Sequence, residues 1–330
     1  MQFMIFEPGA HGWHASLTPA ELTSICKRGL GSTTNILSIT EQSGGMFNKT
    51  YVILFNNEQK LILRVSPPSS AYIFYNELNL MRREHTIQPY LASISHLIPK
   101  TIMSDFTHEI IDRDYVFQSF LEGERWDDLT QELTRSENDE LWRQNGQIAK
   151  KISCTHGKYF GYPLPQKQFL KWSDAVIDMI SGMHADLIAL NVDDTGITGL
   201  VQTLQAGSDL LDDIKTPQLI HGDIWEKNIL IDRTGPTPRI VGLLDAERAF
   251  WGDPMADWIY HRWEVPQSYW EGYGRIAPLE GYKFRTLAYR CMIGIQAFLE
   301  SHRCGNVANY AYFKNNMPVW INEMKTFLSQ

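Results

Sequence analysis

Three side chains in one short stretch of this sequence can do acid–base and metal chemistry together. They lie in His221-Gly222-Asp223-Ile224-Trp225-Glu226-Lys227-Asn228 and, one hairpin later, at Asp245. Asp223 is a carboxylate that can take a proton from a hydroxyl as its oxygen attacks an electrophile. Asn228 and Asp245 offer an amide oxygen and a carboxylate oxygen, the hard donors that Mg²⁺ accepts.

The hairpin must bring them together. Residues 229–232 read as a short apolar strand and 240–244 as a second. Between them Arg233-Thr234-Gly235-Pro236-Thr237-Pro238 is turn chemistry. If the strands pair antiparallel, Asn228 and Asp245 emerge at the same open end, and opposed residues in such a ladder lie roughly 5 Å apart. Asp223, five residues upstream of Asn228, reaches the same spot on a tight loop. An anionic base beside two cation ligands suits phosphoryl transfer to a hydroxyl.

The pieces resemble the catalytic core of the protein-kinase-like superfamily, and within it the aminoglycoside phosphotransferase group. That group includes macrolide, choline, homoserine and fructosamine kinases. Its H-G-D-x-x-x-x-N loop stands here as His221 to Asn228. Its second metal-binding Asp stands as Asp245 in Leu244-Asp245-Ala246-Glu247, and Gly252-Asp253-Pro254 with Asp257 also fits. The resemblance implies an α+β, protein-kinase-like two-lobe fold. A small N-terminal lobe (1–120, with 1–30 as a helical extension) would hold an antiparallel sheet, one helix and the nucleotide. A larger, mainly helical C-terminal lobe (121–330) would hold catalysis and the acceptor. Asp223 is then the catalytic base, Asn228 and Asp245 the Mg²⁺ ligands, and ATP, with GTP as the alternative, the phosphoryl donor.

The N-terminal third bears on that reading. Residues 35–39, 49–55 and 60–65 alternate as three strands of a meander. The first two are joined through Gly44-Gly45, whose backbone can approach phosphates closely. Arg64 stands where the superfamily usually has a phosphate-binding Lys. It keeps the charge and can grip an oxyanion with two parallel hydrogen bonds, but its reach differs. Residues 71–91 read as one helix, ended early by Pro89. Glu77 and Glu84 share a face of it, and either can steady Arg64; the family pattern favours Glu84. Residues 114–120 form a further strand. By likeness to relatives, Ser119 would offer its carbonyl and Leu121 its N–H to the nucleotide base.

Elsewhere the sequence mainly sets limits. It has 330 residues, 43% of them hydrophobic, and a formal net charge of −8. The acidic balance disfavours nucleic acid as a partner. No run approaches a membrane span, and residues 1–12 carry no secretory pattern. Cys26, Cys154, Cys291 and Cys304 have no metal spacing, so they read as thiols in a reducing, cytoplasmic compartment. Thr18-Pro19-Ala20-Glu21 starts a helix that Gly29 can close. Ser136 can cap a second helix. Residues 172–190 and 279–328 are helical by spacing, leaving the 229–244 hairpin as the one small sheet of the C-terminal part.

Some conspicuous residues have duller roles. His221 reads as a brace for the loop, Asp257 as an acceptor of backbone N–H bonds behind it, and Lys227 as solvated. Asp253 either steadies the loop or approaches the metal. Glu247 is either a third ligand or an ion-pair partner of Arg248. Trp225, Trp251, Trp258, Trp263 and Trp270 are core, with one or two available to a substrate cleft. Glu264 and Glu271 can meet the amines of an aminoglycoside.

The reading is an O-phosphotransferase acting on a small hydroxylated molecule, an aminoglycoside or another antibiotic. The alternatives are a small-metabolite kinase and a nucleotide-binding scaffold without chemistry. Asp-Ala-Glu followed at once by Gly-Asp-Pro leaves no room for the activation segment of a protein kinase, and no H-x-H or H-E-x-x-H set points to a metallohydrolase.

Overall fold

The structure is a computed structural model of the chain. It describes all residues except 7–14, 32, 34, 44, 166, 193–194, 258, 263 and 275–278. Its contacts separate two compact units. One comprises 1–73 and 97–123, the other 74–96 and 124–330.

The first unit is built on a six-stranded sheet. Its strands are β1 (Gln2–Met4), β2 (Ile36–Glu41), β3 (Lys49–Phe55), β4 (Lys60–Val65), β5 (Thr101–Asp105) and β6 (Tyr115–Ser119). The order across the sheet is β1-β2-β3-β4-β6-β5. β1 pairs parallel to β2, and the other pairs are antiparallel. Helix α1 (Pro19–Leu30) has the expected start: Thr18 and Glu21 form a reciprocal capping box, with Pro in the first turn. Its end differs from expectation. Gly29 lies inside the helix, and Gly31, at φ 75°, makes the left-handed cap. Leu22, Ile25 and Cys26 of α1 are buried in one cluster with Ile39, Tyr51, Leu63 and Phe117 of the sheet. Fully burying each aliphatic side chain is worth about 1.5–3 kcal/mol.

The second unit is mostly helical. Its first segment corrects the expectation of one long helix over 71–91. A 3-10 turn (Tyr75–Glu77), helix α2 (Leu80–Ile87) and a 3-10 stretch (Gln88–Ile94) follow one another. The break has a backbone cause. Leu78 is non-helical and Asn79 is left-handed at φ 60°, a conformation Asn tolerates better than most residues. Pro89 then starts the second 3-10 stretch.

Helix α3 (Arg135–Ser153) is capped by Thr134 with Glu137, not by Ser136. Helix α4 spans Trp172–Ala189. The short helices α5 (Leu200–Ala206), α6 (Ser208–Leu211), α7 (Ile259–Arg262) and α8 (Gln267–Tyr273) precede the long α9 (Tyr282–Cys304) and α10 (Val307–Leu328). The core of this unit gathers Trp172, Met179, Phe250, Phe284, Tyr289 and Phe298 among others. Trp172 and Phe250 stack with ring centroids 6.3 Å apart.

Two small sheets, where one was expected, carry the loops of the site. Strands β7 (Glu124–Arg125), β9 (Ile229–Asp232) and β10 (Arg239–Leu243) form one, and β8 (Gln218–Ile220) pairs antiparallel with β11 (Phe250–Gly252) in the other. No helix among the described residues is long and apolar enough to cross a membrane.

Candidate active site

The β9–β10 hairpin forms where the sequence places it. Its turn is held by Asp232, whose Oδ1 accepts from the Thr234 N–H (2.8 Å) and whose Oδ2 accepts from Arg239 (3.0 Å). The outer edge is tied to α3. The Gln144 side chain accepts from the Ile240 N–H (2.9 Å) and donates to the Pro238 carbonyl (3.1 Å). A register shift between Ile240 and Gly242 realigns the ladder so that Leu243 faces Ile229. One step further, the Leu244 N–H donates to the Asn228 carbonyl at 2.8 Å. Asn228 and Asp245 therefore leave the sheet at the same end. Asp245 is left-handed at φ 61° and opens a 3-10 turn over Ala246–Arg248.

The loop before β9 hangs on β8. His221 follows β8 directly and is 2% exposed. Its Nδ1 accepts from the Asp223 N–H at 3.3 Å, so it is an internal brace. Burial lowers its pKa to about 4, which keeps the ring neutral. Gly222 turns the chain at φ 77°, and a Cβ there would lie 2.4 Å from the Arg248 carbonyl oxygen. The Gly222 N–H donates to Asp257 Oδ2 (3.3 Å), the support from behind expected of that residue. Asp253 is likewise structural: its carboxylate accepts from the Met255 N–H (3.0 Å) and the Tyr289 hydroxyl (2.7 Å).

Asp223 and Asn228 meet directly. The Asn228 amide donates to the Asp223 carbonyl (2.9 Å) and to its Oδ2 (2.8 Å). The Asp223 residue is half-buried, yet its carboxyl is packed round closely enough that burial raises its pKa to about 7. Arg248 opposes that rise, Asp245 adds to it, and the Asn228 hydrogen bond opposes it. A dication nearby would favour the charged form further.

Carboxylate oxygens of Glu84, Asp245 and Glu247 lie within 4.8 Å of one another. Glu84 comes from α2; Asp245 precedes the 3-10 turn after β10 and Glu247 lies within it. Three hard oxygen donors, with no sulfur or imidazole among them, fit Mg²⁺ and not a softer ion. The Asp-x-Glu spacing was the sequence signal for Glu247. Nothing in the sequence tied Glu84 to these two.

The remaining expected residues fall as follows. Glu77 does not face a phosphate-binding cation: both its oxygens accept from Arg303, each at 2.8 Å. In the first unit, Arg64 is 8% exposed on β4, opposite Thr50 and Val116. Gly45 lies in the β2–β3 turn, while Gly44 is outside the described residues. Ser119 ends β6, where its N–H donates to the Lys100 carbonyl at 2.9 Å, and Leu121 follows in irregular backbone.

Among the outlying residues, Lys227 sits over the Trp225 ring at 4.9 Å. Trp251 is buried edge-on to Tyr90, and Trp270 stacks on Tyr260. Trp258 and Trp263 lie outside the described residues. Glu271 pairs with Arg143 at 3.0 Å. Arg248 pairs with Glu300 (2.9 Å), a partner in the distant α9 that the sequence did not suggest.

The sequence model of the phosphotransferase enzyme family matches residues 38–291. The chain belongs to that family. It is accordingly a small-molecule phosphotransferase.

A probable ketoamine kinase of Vibrio vulnificus is 23% identical over 268 residues, which cover 77% of this chain and 84% of that protein. Among solved structures, a thermostable mutant of aminoglycoside phosphotransferase APH(4)-Ia, in a ternary complex with ADP and hygromycin B, aligns with a TM-score of 0.63. The identity is 19%, over 92% of this chain and 98% of that one. The GDP complex of aminoglycoside 2'-phosphotransferase-IIIa gives 0.61 at 16% identity, over 94% and 99%. At such identities the solved structures establish the protein-kinase-like fold that this phosphotransferase shares.

Proposed function

We propose that this phosphotransferase is an ATP- and Mg²⁺-dependent kinase that moves the terminal phosphoryl group of the nucleotide to a hydroxyl of a small molecule. The observation that carries the reading is the junction at the β9–β10 hairpin. There Asn228 holds Asp223 by a 2.8 Å hydrogen bond, and Asp245 stands in a carboxylate trio. Asp245 and Asn228 would hold the metal, with Glu247 and Glu84 as further oxygen donors. When bound, Mg²⁺ supplies charge neutralisation and in-line alignment for the nucleotide phosphates.

The chain's own part is positional. The Asn228 amide and the Asp223 backbone fix the carboxylate rotamer. Asp223 receives the acceptor hydroxyl, orients it and takes its proton late, because the transition state is loose and needs little basic push. In this reading residues 1–120 form the nucleotide lobe. Gly44, Gly45 and Arg64 contact phosphates, and Ser119 and Leu121 contact the base. Residues 121–330 supply catalysis and the acceptor site.

The acceptor is a hydroxylated small molecule of the ketoamine or aminoglycoside type. The sequence match to a probable ketoamine kinase and the likeness to an enzyme seen with hygromycin B support that class. The four free thiols fit a reducing, cytoplasmic setting. Incubating the purified chain with labelled ATP or GTP, Mg²⁺ and a panel of ketoamines, aminoglycosides and other polyols tests the reading. Label transfer to one of them, lost with EDTA, supports it; no transfer to any, and no slow hydrolysis, defeats it.

A further inference from the structure

The last turns of α9 touch two separate parts of the site. Glu300 and Arg303 lie three residues apart, hence on one face of the helix. Glu300 Oε1 binds Arg248 at 2.9 Å, and the pair is largely shielded, at 17% and 22% side-chain exposure. The backbone carrying Arg248 runs against Gly222, the residue before Asp223. The Arg248 charge acts on Asp223, Glu77 and Glu247 as well as on Glu300.

Arg303 grips Glu77 with two 2.8 Å hydrogen bonds and lies 3.7 Å over the Phe74 ring. Glu77 is 2% exposed. It ends the 3-10 turn that leads into α2, the helix presenting Glu84. A broken helix entry, with a left-handed Asn79, does not fix the direction of α2 by itself. The two-point Arg303–Glu77 fork holds that entry, beside Arg83 of α2, whose guanidinium donates to the carbonyls of Leu164 (2.7 Å) and Asn76 (2.8 Å).

We propose that the C-terminal turns of α9 are a positioning device for the phosphotransfer site: Glu300 fixes Arg248 behind the loop of Asp223, and Arg303 fixes Glu77 and so the approach of α2 with Glu84. Neither side chain is a catalytic residue. Each acts through another group, one on the base and one on the metal ligands. The metal half of the proposal rests on the assignment of Glu84 as an oxygen donor to Mg²⁺.

The two arms are separable by experiment. With Glu300→Gln, kcat for nucleotide turnover falls on the order of 100-fold, the usual cost of an ångström-scale misplacement, while KM for ATP holds. Glu300→Asp recovers part of that loss. With Arg303→Lys, the affinity of the nucleotide-free protein for Mn²⁺, read by calorimetry, weakens about 10- to 100-fold, as for other groups that orient metal ligands.

Hydrogen exchange reads the device with no ligand present. Faster exchange is expected at 222–224 in the first variant and at 80–84 in the second, with the rest of the unit unchanged. Should Arg303→Lys not fold, Glu77→Gln, which keeps an acceptor for Arg303, takes its place. Wild-type kcat, Mn²⁺ affinity and local exchange in folded variants overturn the proposal, as does exchange raised evenly throughout the unit. If the unmutated chain neither binds Mn²⁺ nor turns over ATP, the phosphotransfer reading fails by itself; the exchange pattern then decides for or against the positioning device.

Discussion

At the scale of single residues, the site separates two kinds of aspartate. Asp223 sits where burial raises its carboxyl to about 7 and Asn228 restrains it. Asp245 sits among other carboxylates at the mouth of a hairpin. Their substitutions should fail differently. Asp223→Asn keeps shape and removes the proposed base, so kcat should fall about 10²- to 10⁴-fold while calorimetry still finds nucleotide binding. Asp245→Ala removes a proposed metal ligand, so Mg²⁺-dependent nucleotide affinity should disappear in the same titration. Equal loss of nucleotide binding in both variants would contradict this division of labour.

At the scale of elements, the loop between β8 and β9 depends on a residue without a side chain. Gly222→Ala meets both a φ of 77° and a Cβ 2.4 Å from the Arg248 carbonyl. Such a change should cost about 2 kcal/mol or more in denaturant unfolding, and most of the turnover. Thr134→Ala is the contrasting case. It removes the α3 cap, which makes no bond to the loop, and should cost about 1 kcal/mol with kcat unchanged.

The elements also show what a sequence can and cannot convey. The β9–β10 hairpin and the strands β3 and β4 were legible because turn residues and alternation are local signals. The α2 region was not. Its apolar spacing continues across 71–91, while one left-handed Asn79 cuts the helix. The partners of Glu77 and Arg248 were invisible for a different reason: they lie on α9, and spacing along the chain says nothing about contacts that distant. Ser136 is a capping residue by type, but the reciprocal bonds between Thr134 and Glu137 put the cap two residues earlier.

At the scale of the whole molecule, buried imidazoles lower stability as pH falls, while the raised carboxyl of Asp223 acts in the opposite direction. Burial lowers both His221 and His261 from 6.5 to about 4. Above pH 6.5 both folded and unfolded chains hold these rings neutral. As pH falls below that, the unfolded chain's rings gain protons that the folded ones refuse, so the imidazoles' contribution to stability drops progressively toward pH 4. For His221 the full loss is about 3 kcal/mol, and the partly exposed His261 contributes less. Denaturant unfolding of the wild type and of His221→Asn at pH 7.5, 6 and 4.5 should show the wild type losing stability relative to the variant as pH falls. A difference between the two proteins that stays level across this range would contradict the burial of the His221 ring. The core makes a larger demand. Trp172→Ala, in the centre of the helical unit, should cost about 3–5 kcal/mol.

The pairing of Glu77 with Arg303 spans 226 positions of the chain. During synthesis at about 5–20 residues per second, the carboxylate leaves the ribosome roughly 10–45 s before the guanidinium that will hold it. The entry to α2 thus lacks this hold until α9 has emerged, and a nascent chain stalled before then has Asp257 behind the loop of Asp223 but not yet the Arg248–Glu300 pair.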